Sequence, residues 1–460
     1  MKRLLMVLWL LLPAVVMAQG LAGSWSGHLA VGDAKLRLVI HLMEEQGAWR
    51  ATMDSPDQGA KGIPFDSVAV QGSAVSLISE QLQARIDLVA WGADHLMGQF
   101  VQGAMTTSLM LRRGEVRPNR PQEPQAPFPY RSEEVTFIGR DGAVQLHGTL
   151  TLPNKTGRFP AVVLVTGSGT QNRDEELFDH KPFLLLADRL TRAGYAVLRY
   201  DDRGYNAAPE ELKRLKNATT ADMMQDALGA FDYLTKRTEV DSAKVGILGH
   251  SEGGTIAFLA AAEEPQVAFI LSMAGMTVSG AELLVEQNRA LMTQQGLPAS
   301  MVEAYGTALQ RLYEAWQQHT PAELAAEKAR FAAQAAAGLQ LPEALLRNLE
   351  QIAALAEQQP WIDYFVRLDP SEAIRKLGSR PCLAMNGTKD LQVDAEQNLG
   401  RLDALMQGAA TVQLNRYEGL NHLFQPCKTG AVTEYGQIET TIDEQVLSDL
   451  VQWLNDQIGS

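Results

Sequence analysis

Apolar and polar residues alternate in the first part of the chain, between residues 20 and 113. In the clearest example, Leu36, Leu38, Ile40 and Leu42 alternate with the polar residues Lys35, Arg37 and His41. A period of two is typical of a strand with one buried face. Similar short segments follow, with turn residues between them. The pattern predicts a small antiparallel β-domain, either a sandwich or a partial barrel.

Three tryptophans of this region, Trp25, Trp49 and Trp91, allow two interpretations. They could line a ligand surface, or they could be buried aromatic residues of the β-domain core. Core packing is the ordinary role of such residues, so we expect burial.

Prolines recur at positions 118, 121, 124, 127 and 129. A segment with this composition is extended and semi-rigid, and it has few apolar residues to pack. We therefore interpret residues 114–130 as a linker and as the boundary between two domains.

Beyond residue 131 the pattern changes to short, continuous apolar runs that alternate with helical periodicity. These runs cover residues 161–165, 196–200, 245–249, 268–273, 382–385 and 412–414. Continuous apolar strands separated by helices predict a mostly parallel sheet that is covered on both faces. One crossover helix should span Pro182–Ala193, with Gly194 just beyond its end. Residues 131–460 are thus predicted to form an α/β domain.

The alternation stops for about a hundred residues between the fourth and fifth of these runs. Helical spacing instead marks residues 282–295, 301–318, 321–337 and 342–359. An insertion of this length between two strands predicts a helical cap at about 277–375. Its apolar residues exceed what one face of each helix needs, so some could line an acyl pocket: Leu291, Met292, Leu309, Leu312, Trp316, Trp361 and Phe365.

The first 18 residues have the features of a signal peptide. Lys2 and Arg3 precede an apolar run from Leu4 to Val16, and Ala18 follows as a small residue at a cleavage position. The run is shorter than the roughly 20 residues that span a bilayer. We expect residues 1–18 to be removed, and the mature protein to be exported to the periplasm or the medium without a stable membrane anchor.

Charge and cysteine content narrow the class of partner. The formal net charge of -14 leaves no basic excess for binding phosphates, so nucleic acid is not an expected partner.

The two cysteines, Cys382 and Cys427, could form one disulfide or remain thiols, and both alternatives stay open. Two cysteines and scattered histidines give no metal-site spacing, so neither a metal nor another cofactor is expected.

The sharpest motif is Gly249-His250-Ser251-Glu252-Gly253, which lies between an apolar run and a helical pattern. A serine on a tight strand-to-helix turn is exposed for attack, and small residues on either side avoid collisions across the turn. This context predicts that Ser251 is a nucleophile.

A serine hydroxyl needs a neighbouring base, which an acid in turn orients. With the order nucleophile, acid, histidine, only His319 and His422 follow Ser251, and His319 falls within the predicted cap. His422 is therefore the predicted base. Asp390 follows the strand 382–385 and is the predicted acid, with Asp394 and Glu418 as alternatives.

A glycine-containing loop, Thr166–Thr170, follows the strand 161–165. The backbone N–H groups of Ser168 and Glu252 are predicted to form the oxyanion hole. A phosphate-binding loop is the rival interpretation, but the G-x-x-x-x-G-K-[ST] pattern is missing.

Residues 131–458 resemble the α/β-hydrolase superfamily, in particular exported bacterial serine hydrolases of the serine aminopeptidase-like or acyl esterase type. The segments that carry this resemblance are 249–254, Asp202-Arg203-Gly204, Gly387-Thr388-Lys389-Asp390 and Asn421-His422. Two departures are Thr166, where many relatives have histidine, and Tyr205-Asn206 after Gly204. The resemblance implies an α/β-hydrolase fold with an inserted helical cap, preceded here by the β-domain.

These observations favour a hydrolase that cleaves small carboxylic esters through an acyl-enzyme. An exported aminopeptidase or dipeptidyl peptidase-like enzyme acting on short peptides is the first alternative, and a thioesterase or acyltransferase is the second. An alternative from a different class, a carbohydrate- or envelope-binding module with a degenerate hydrolase attached, conflicts with the complete set of predicted catalytic residues.

Overall fold

The computed structural model describes residues 20–31, 34–45, 47–103, 105–114, 119–407 and 411–459. The chain divides into two compact units, residues 1–119 and residues 120–460. The predicted signal peptide, residues 1–18, lies outside the described residues. Within the described ranges, none of the helices combines the length and the apolar character that crossing a bilayer would need.

In the described residues of the first unit, nine strands form an antiparallel sheet. The strands are β1 (Gly23–Val31), β2 (Ala34–Glu45), β3 (Ala48–Ser55), β4 (Ala60–Pro64), β5 (Ser67–Gln71), β6 (Ala74–Ser79), β7 (Ala84–Trp91), β8 (His95–Gln102) and β9 (Met105–Arg113). Their order is β4-β3-β2-β1-β9-β8-β7-β6-β5. Within the described residues, all nine strands therefore belong to one continuous sheet.

The apolar face of this sheet holds the core of the unit, including Ile40, Leu77 and Leu111. Trp25 is fully buried in it, whereas Trp91 is 66% exposed. The expectation of burial is wrong for Trp91. In β7 the inward positions run through Ile86 and Leu88, so that alternation turns Trp91 to the outer face.

The second unit is built on an eight-stranded sheet. Its strands are β10 (Arg131–Ile138), β11 (Gln145–Leu152), β12 (Phe159–Val165), β13 (Ala196–Tyr200), β14 (Val240–His250), β15 (Ile270–Met273), β16 (Cys382–Gly387) and β17 (Val412–Tyr417). The order is β10-β11-β13-β12-β14-β15-β16-β17. Strand β11 is antiparallel to both of its neighbours, β10 and β13. The six strands β12 to β17 run parallel to one another.

Helices cover both faces of this sheet. They are α1 (Pro182–Ala193), α2 (Pro209–Leu215), α3 (Thr220–Thr235), α4 (Glu252–Glu263), α12 (Ala395–Leu405), α13 (Val432–Tyr435) and α14 (Glu444–Gln457). Phe231 of α3 and Phe258 of α4 belong to the apolar layer on one face. Phe183 of α1 and Leu450 of α14 belong to the layer on the other face. Two buried faces explain why the central strands are apolar throughout.

Helix α1 begins and ends where the sequence predicts. Pro182 occupies the first turn, where its missing N–H costs nothing. Gly194 ends the helix at φ 110°, a left-handed conformation that glycine adopts without a steric penalty.

A helical insertion separates β15 from β16. It consists of α5 (Gly280–Gln294), α6 (Ala299–Gln318), α7 (Pro321–Ala326), α8 (Lys328–Ala335), α9 (Glu343–Gln358) and α10 (Pro360–Arg367), and a short α11 (Ser371–Arg375) leads to β16. The predicted single helix 321–337 is wrong: Glu327 adopts φ -114° and ψ 26°, which divides it into α7 and α8. Apolar spacing persists across such a break, so the pattern alone does not reveal it.

The insertion has an apolar core of its own, which contains Leu309, Leu312 and Trp316. These three side chains are fully buried there, and Met292 is 8% exposed. They therefore pack inside the core of the insertion.

The later half of the proline-rich segment lies on the second unit. The guanidinium of Arg120 donates to the carbonyls of Phe178 and Ile438, and the side-chain amide of Gln122 donates to the carbonyl of Ile442. Hydrogen bonds from its side chains to backbone carbonyls hold the segment in place. The sequence interpretation considered only apolar packing and therefore did not predict this attachment. Both cysteines are free thiols, and Cys382 is buried in β16.

Candidate active site

Ser251 lies on a sharp turn between β14 and α4. Its backbone adopts φ 53° and ψ -122°, a conformation that is strained for any residue with a side chain. The amide of Ser251 donates to the carbonyl of Met273 at 2.8 Å, which ties the turn to the end of β15. The turn thus presents the Ser251 side chain at the carboxyl edge of the parallel strands.

Two glycines make this turn possible. A Cβ atom at position 249 would lie 1.9 Å from the carbonyl oxygen of Gly253, and one at position 253 would lie 2.1 Å from that of Val165. Contacts this short with backbone cannot be relieved by moving a side chain. The spacing of glycines around Ser251 is therefore a steric requirement of the fold.

His422 and Asp390 are joined by a buried hydrogen bond. His422 Nδ1 lies 2.7 Å from Asp390 Oδ2, and the two residues are 4% and 5% exposed. The other carboxylate oxygen, Oδ1, accepts the backbone N–H groups of Gln392 at 2.8 Å and Val393 at 2.9 Å. These three donors fix the carboxylate, so Asp390 can fix the imidazole ring in turn.

The alternative acids and the alternative base lie elsewhere. Asp394 caps α12 by accepting the N–H of Gln397 at 2.7 Å. Glu418 is exposed. His319 ends helix α6, where its Nδ1 lies 2.9 Å from the carbonyl oxygen of Ala315. Among the described residues, therefore, Asp390 is the carboxylate that the structure brings to His422.

A cavity of about 360 Å³ brings four of the five predicted site residues together. Ser168, Ser251, Glu252 and His422 all border it, and Asp390 lies behind His422. Its walls are largely apolar, and four of the apolar wall residues belong to the helical insertion: Leu283, Leu284, Trp361 and Phe365. The other apolar wall residues are Leu177, Phe178, Met276, Val393, Leu423 and Val432. A cavity of this size and lining suits a small ligand with an apolar portion.

The backbone N–H groups of the two predicted oxyanion donors have no hydrogen-bond acceptor within the part of the chain that the structure describes. One belongs to Glu252, the first residue of α4, and the other belongs to Ser168. Gly167, the residue before Ser168, is not available in this way, because its N–H already donates to Glu175 Oε1 at 2.9 Å. Ser168 and Glu252 thus each keep a free N–H donor, and the positive end of the α4 dipole lies at Glu252.

The loop that carries Ser168 is fixed by a second carboxylate. Asp202 accepts the Thr166 hydroxyl at 2.7 Å and the Gln171 N–H at 2.8 Å. Burial raises the pKa of Asp202 to about 8. Asp202, which belongs to one of the segments that carry the family resemblance, therefore holds the loop of Ser168 in place and makes no hydrogen bond to Ser251 in the described structure.

Two residues with a direct connection to the site were not predicted as functional. Glu175 is 1% exposed, and its Oε1 lies 3.0 Å from His250 Nδ1. His250 Nε2 lies 3.0 Å from the carbonyl oxygen of His422. These contacts join segments 75 and 172 residues apart, so no local pattern could have revealed them.

The Glu252 side chain links three elements. Its Oε1 accepts the Thr220 hydroxyl of α3 at 2.6 Å and the Trp361 indole N–H of α10 at 2.9 Å. Trp361 in turn stacks on Phe365, with ring centroids 5.3 Å apart. The helical insertion is therefore attached directly beside the Ser251 turn. In the described ranges, no group of three or more His, Cys, Asp or Glu side chains is arranged to hold a metal ion.

Two curated relatives are similar to parts of this chain. Esterase EstD of Thermotoga maritima is 34% identical over 130 residues, which is 28% of this chain and 29% of that protein. Cutinase cut1 of Thermobifida fusca is 24% identical over 226 residues, 47% of this chain and 63% of that protein. The chain thus matches less than two thirds of the length of either relative.

Among solved structures, a puromycin-hydrolyzing peptidase of Mycobacterium tuberculosis matches with a TM-score of 0.45 and 14% identity. The match covers 94% of this chain and 53% of that one.

A family model described as X-Pro dipeptidyl-peptidase (S15 family) matches residues 141–415. This is more than half of the 460 residues, and it includes Ser251 and Asp390. The chain therefore belongs to the X-Pro dipeptidyl-peptidase (S15) family, within the α/β-hydrolase superfamily of serine hydrolases.

Proposed function

We propose that this protein hydrolyses carboxylic esters through an acyl-enzyme, with Ser251 as nucleophile, His422 as base and Asp390 as the acid that orients it. The observation that carries the proposal is the buried 2.7 Å bond between His422 and Asp390, beside a cavity that also exposes the strained Ser251. This is the arrangement of nucleophile, base and orienting acid that acyl transfer requires.

In the first step, the Ser251 hydroxyl oxygen attacks the ester carbonyl carbon while His422 Nε2 accepts the hydroxyl proton. The proton then passes to the departing alkoxide, which leaves as an alcohol and forms the acyl-enzyme. In the second step, water attacks the same carbon and gives a proton to His422, which returns it to Ser251 as the acid is released. Asp390 keeps Nδ1 protonated throughout, so that Nε2 is free to accept.

The negative charge of each tetrahedral intermediate falls on the former carbonyl oxygen. The free N–H groups of Ser168 and Glu252 are suited to receive it, since neither is committed to another acceptor in the described structure. Donors that are already fixed need no reorganisation as the charge develops.

The names of the curated relatives, an esterase and a cutinase, favour ester substrates for this chain. The apolar cavity walls supply a surface for an acyl chain. The family description favours a second candidate, a peptidase that releases N-terminal dipeptides.

A substrate panel separates these two candidates. Wild-type protein would be assayed with p-nitrophenyl esters of two to twelve carbons, which release p-nitrophenol, and with aminoacyl and X-Pro p-nitroanilides, which release p-nitroaniline. We expect a higher kcat/KM for the esters, with a maximum at one chain length. Efficient cleavage of an X-Pro anilide with weak ester activity would reverse the assignment in favour of the peptidase.

We further propose that the helical insertion is a cap that sets acyl-chain preference. Leu284 of α5 and Phe365 of α10 both line the cavity, and the insertion is bonded to Glu252 through Trp361. Leu284→Ala should widen the cavity and shift kcat/KM between short and long acyl chains by about 1 to 3 kcal/mol. The measurement is the ratio of kcat/KM values across the ester series.

Leu312→Ala is the matched control, because Leu312 is fully buried in the insertion's own core and does not border the cavity. It should lower thermal stability while leaving the chain-length ratio unchanged. If Leu284→Ala also changed every ester equally, the insertion would not determine specificity.

A further inference from the structure

A continuous set of hydrogen bonds runs behind the cavity. It starts at the N–H of Gly167, passes through Glu175 Oε1 and the ring of His250, and ends at the carbonyl of His422, with distances of 2.9, 3.0 and 3.0 Å. Gly167 lies in the loop that carries Ser168, and a Cβ atom placed on it would lie 3.1 Å from the Ser251 Cβ. The set therefore joins the loop of the oxyanion donors to the loop of the catalytic base.

The partners of His250 decide its protonation. One ring nitrogen faces a carboxylate and the other faces a backbone carbonyl, and both of these groups are acceptors. Each ring nitrogen must then carry a proton, which makes the ring an imidazolium. The extra proton belongs on His250 and not on Glu175, because an imidazole has the higher ordinary pKa and Glu175 Oε1 already accepts the Gly167 N–H.

We infer that Glu175 and His250 form a buried ion pair that positions both halves of the catalytic site, the oxyanion loop and the His422 loop. This inference rests on the proposed function of Ser251 and His422. Glu175 and His250 are positioning residues, since they act through Gly167 and through the backbone of His422.

The electrostatic surroundings of His250 agree with this assignment. Burial alone would lower the pKa of His250, but the charge and hydrogen bond of Glu175, with the carbonyl of His422 and the charge of Asp390, raise it above its ordinary value. The neighbouring ring of His422 lies 4.8 Å away between centroids. The ionisable groups that face His250 are thus Glu175, His422 and Asp390.

The raised pKa fixes the direction of the pH dependence. The ion pair contributes fully below the ordinary histidine pKa of about 6.5, and its contribution is lost as the pH rises through the higher folded-state value. Loss of the proton removes one of the two bonds that His250 makes. We therefore expect kcat to fall at alkaline pH, and Glu175→Gln to move this fall to lower pH.

The first arm of the test needs no substrate. Protein with 15N-labelled histidine would be titrated by NMR, with His250→Gln to assign the signals. In the wild type, both ring nitrogens of His250 should carry protons near neutral pH, and in Glu175→Gln one proton should be lost. A singly protonated His250 in the wild type near neutral pH would overturn the inference, whatever the protein hydrolyses.

The second arm measures activity. Glu175→Gln should displace the catalytic groups by a fraction of an ångström, and so lower kcat about 10- to 100-fold with little change in KM. Glu175→Asp, which keeps the carboxylate, should restore part of kcat. Asp188→Asn is the matched control, because Asp188 is a buried carboxylate, 6% exposed, whose ion pair with Arg192 at 2.8 Å does not border the cavity.

This control should lower the melting temperature yet leave kcat and the pH profile unchanged. A folded Glu175→Gln protein with wild-type kcat and a wild-type alkaline limb would contradict a positioning role. Absence of ester hydrolysis in the wild type would instead contradict the proposed function, and the NMR result would still decide the ion pair.

Discussion

We expect His422→Ala to lower kcat for p-nitrophenyl acetate by about 10⁶-fold, the size of loss that removing the base of a serine hydrolase produces. Without an acceptor for its proton, the Ser251 hydroxyl is a weak nucleophile. KM should change little, because the apolar walls that are proposed to contact the acyl group remain in place. The measurement is steady-state kinetics on protein whose folding has been checked by circular dichroism.

His319→Ala is the matched control for this change. His319 is the other histidine that follows Ser251 in the sequence, and it lies at the end of α6, bonded to the Ala315 carbonyl. Its removal should leave kcat within a factor of about two. A loss of similar size in both variants would mean that the base has been misplaced.

Asp390→Asn should lower kcat by about 10³- to 10⁴-fold while the protein remains folded. The N–H groups of Gln392 and Val393 bind Oδ1 and would hold the amide oxygen of the new residue in that position. The amide nitrogen would then face His422 Nδ1 and force the proton onto Nε2. That tautomer cannot accept the Ser251 proton, so the loss appears in kcat.

Asp394→Asn is the corresponding control, four residues away. Asp394 caps α12, and asparagine is also a good N-cap residue, so stability should fall by less than about 1 kcal/mol. Activity should be unaffected. A severe loss in Asp394→Asn with a mild one in Asp390→Asn would assign the acid to Asp394.

The nucleophile turn was predictable because its determinants are local. An apolar strand, glycines at 249 and 253, and a helical pattern follow one another within about fifteen residues. The structure places β14, the strained Ser251 and α4 in that order, and the close backbone contacts at both glycines explain why the motif needs them. The same holds for α1, whose ends are marked by Pro182 and Gly194.

The pairing of distant groups could be predicted only in part. Chain order was enough to propose His422 and Asp390, since both follow strands of the same sheet. The path from Gly167 through Glu175 to His250 depends on loop conformations that no periodicity records. Likewise, the outward position of Trp91 depends on strand register, and the break at Glu327 depends on a single backbone conformation.

The central claim is that Ser251 is an activated nucleophile, and covalent labelling tests it most directly. A fluorophosphonate probe forms a stable bond to an activated serine, and mass spectrometry of the digested protein identifies the labelled residue. The account predicts stoichiometric labelling at Ser251 in the wild type, none in Ser251→Ala and strongly slowed labelling in His422→Ala. Equal labelling of Ser251→Ala and the wild type, or a label on a different serine, would contradict it.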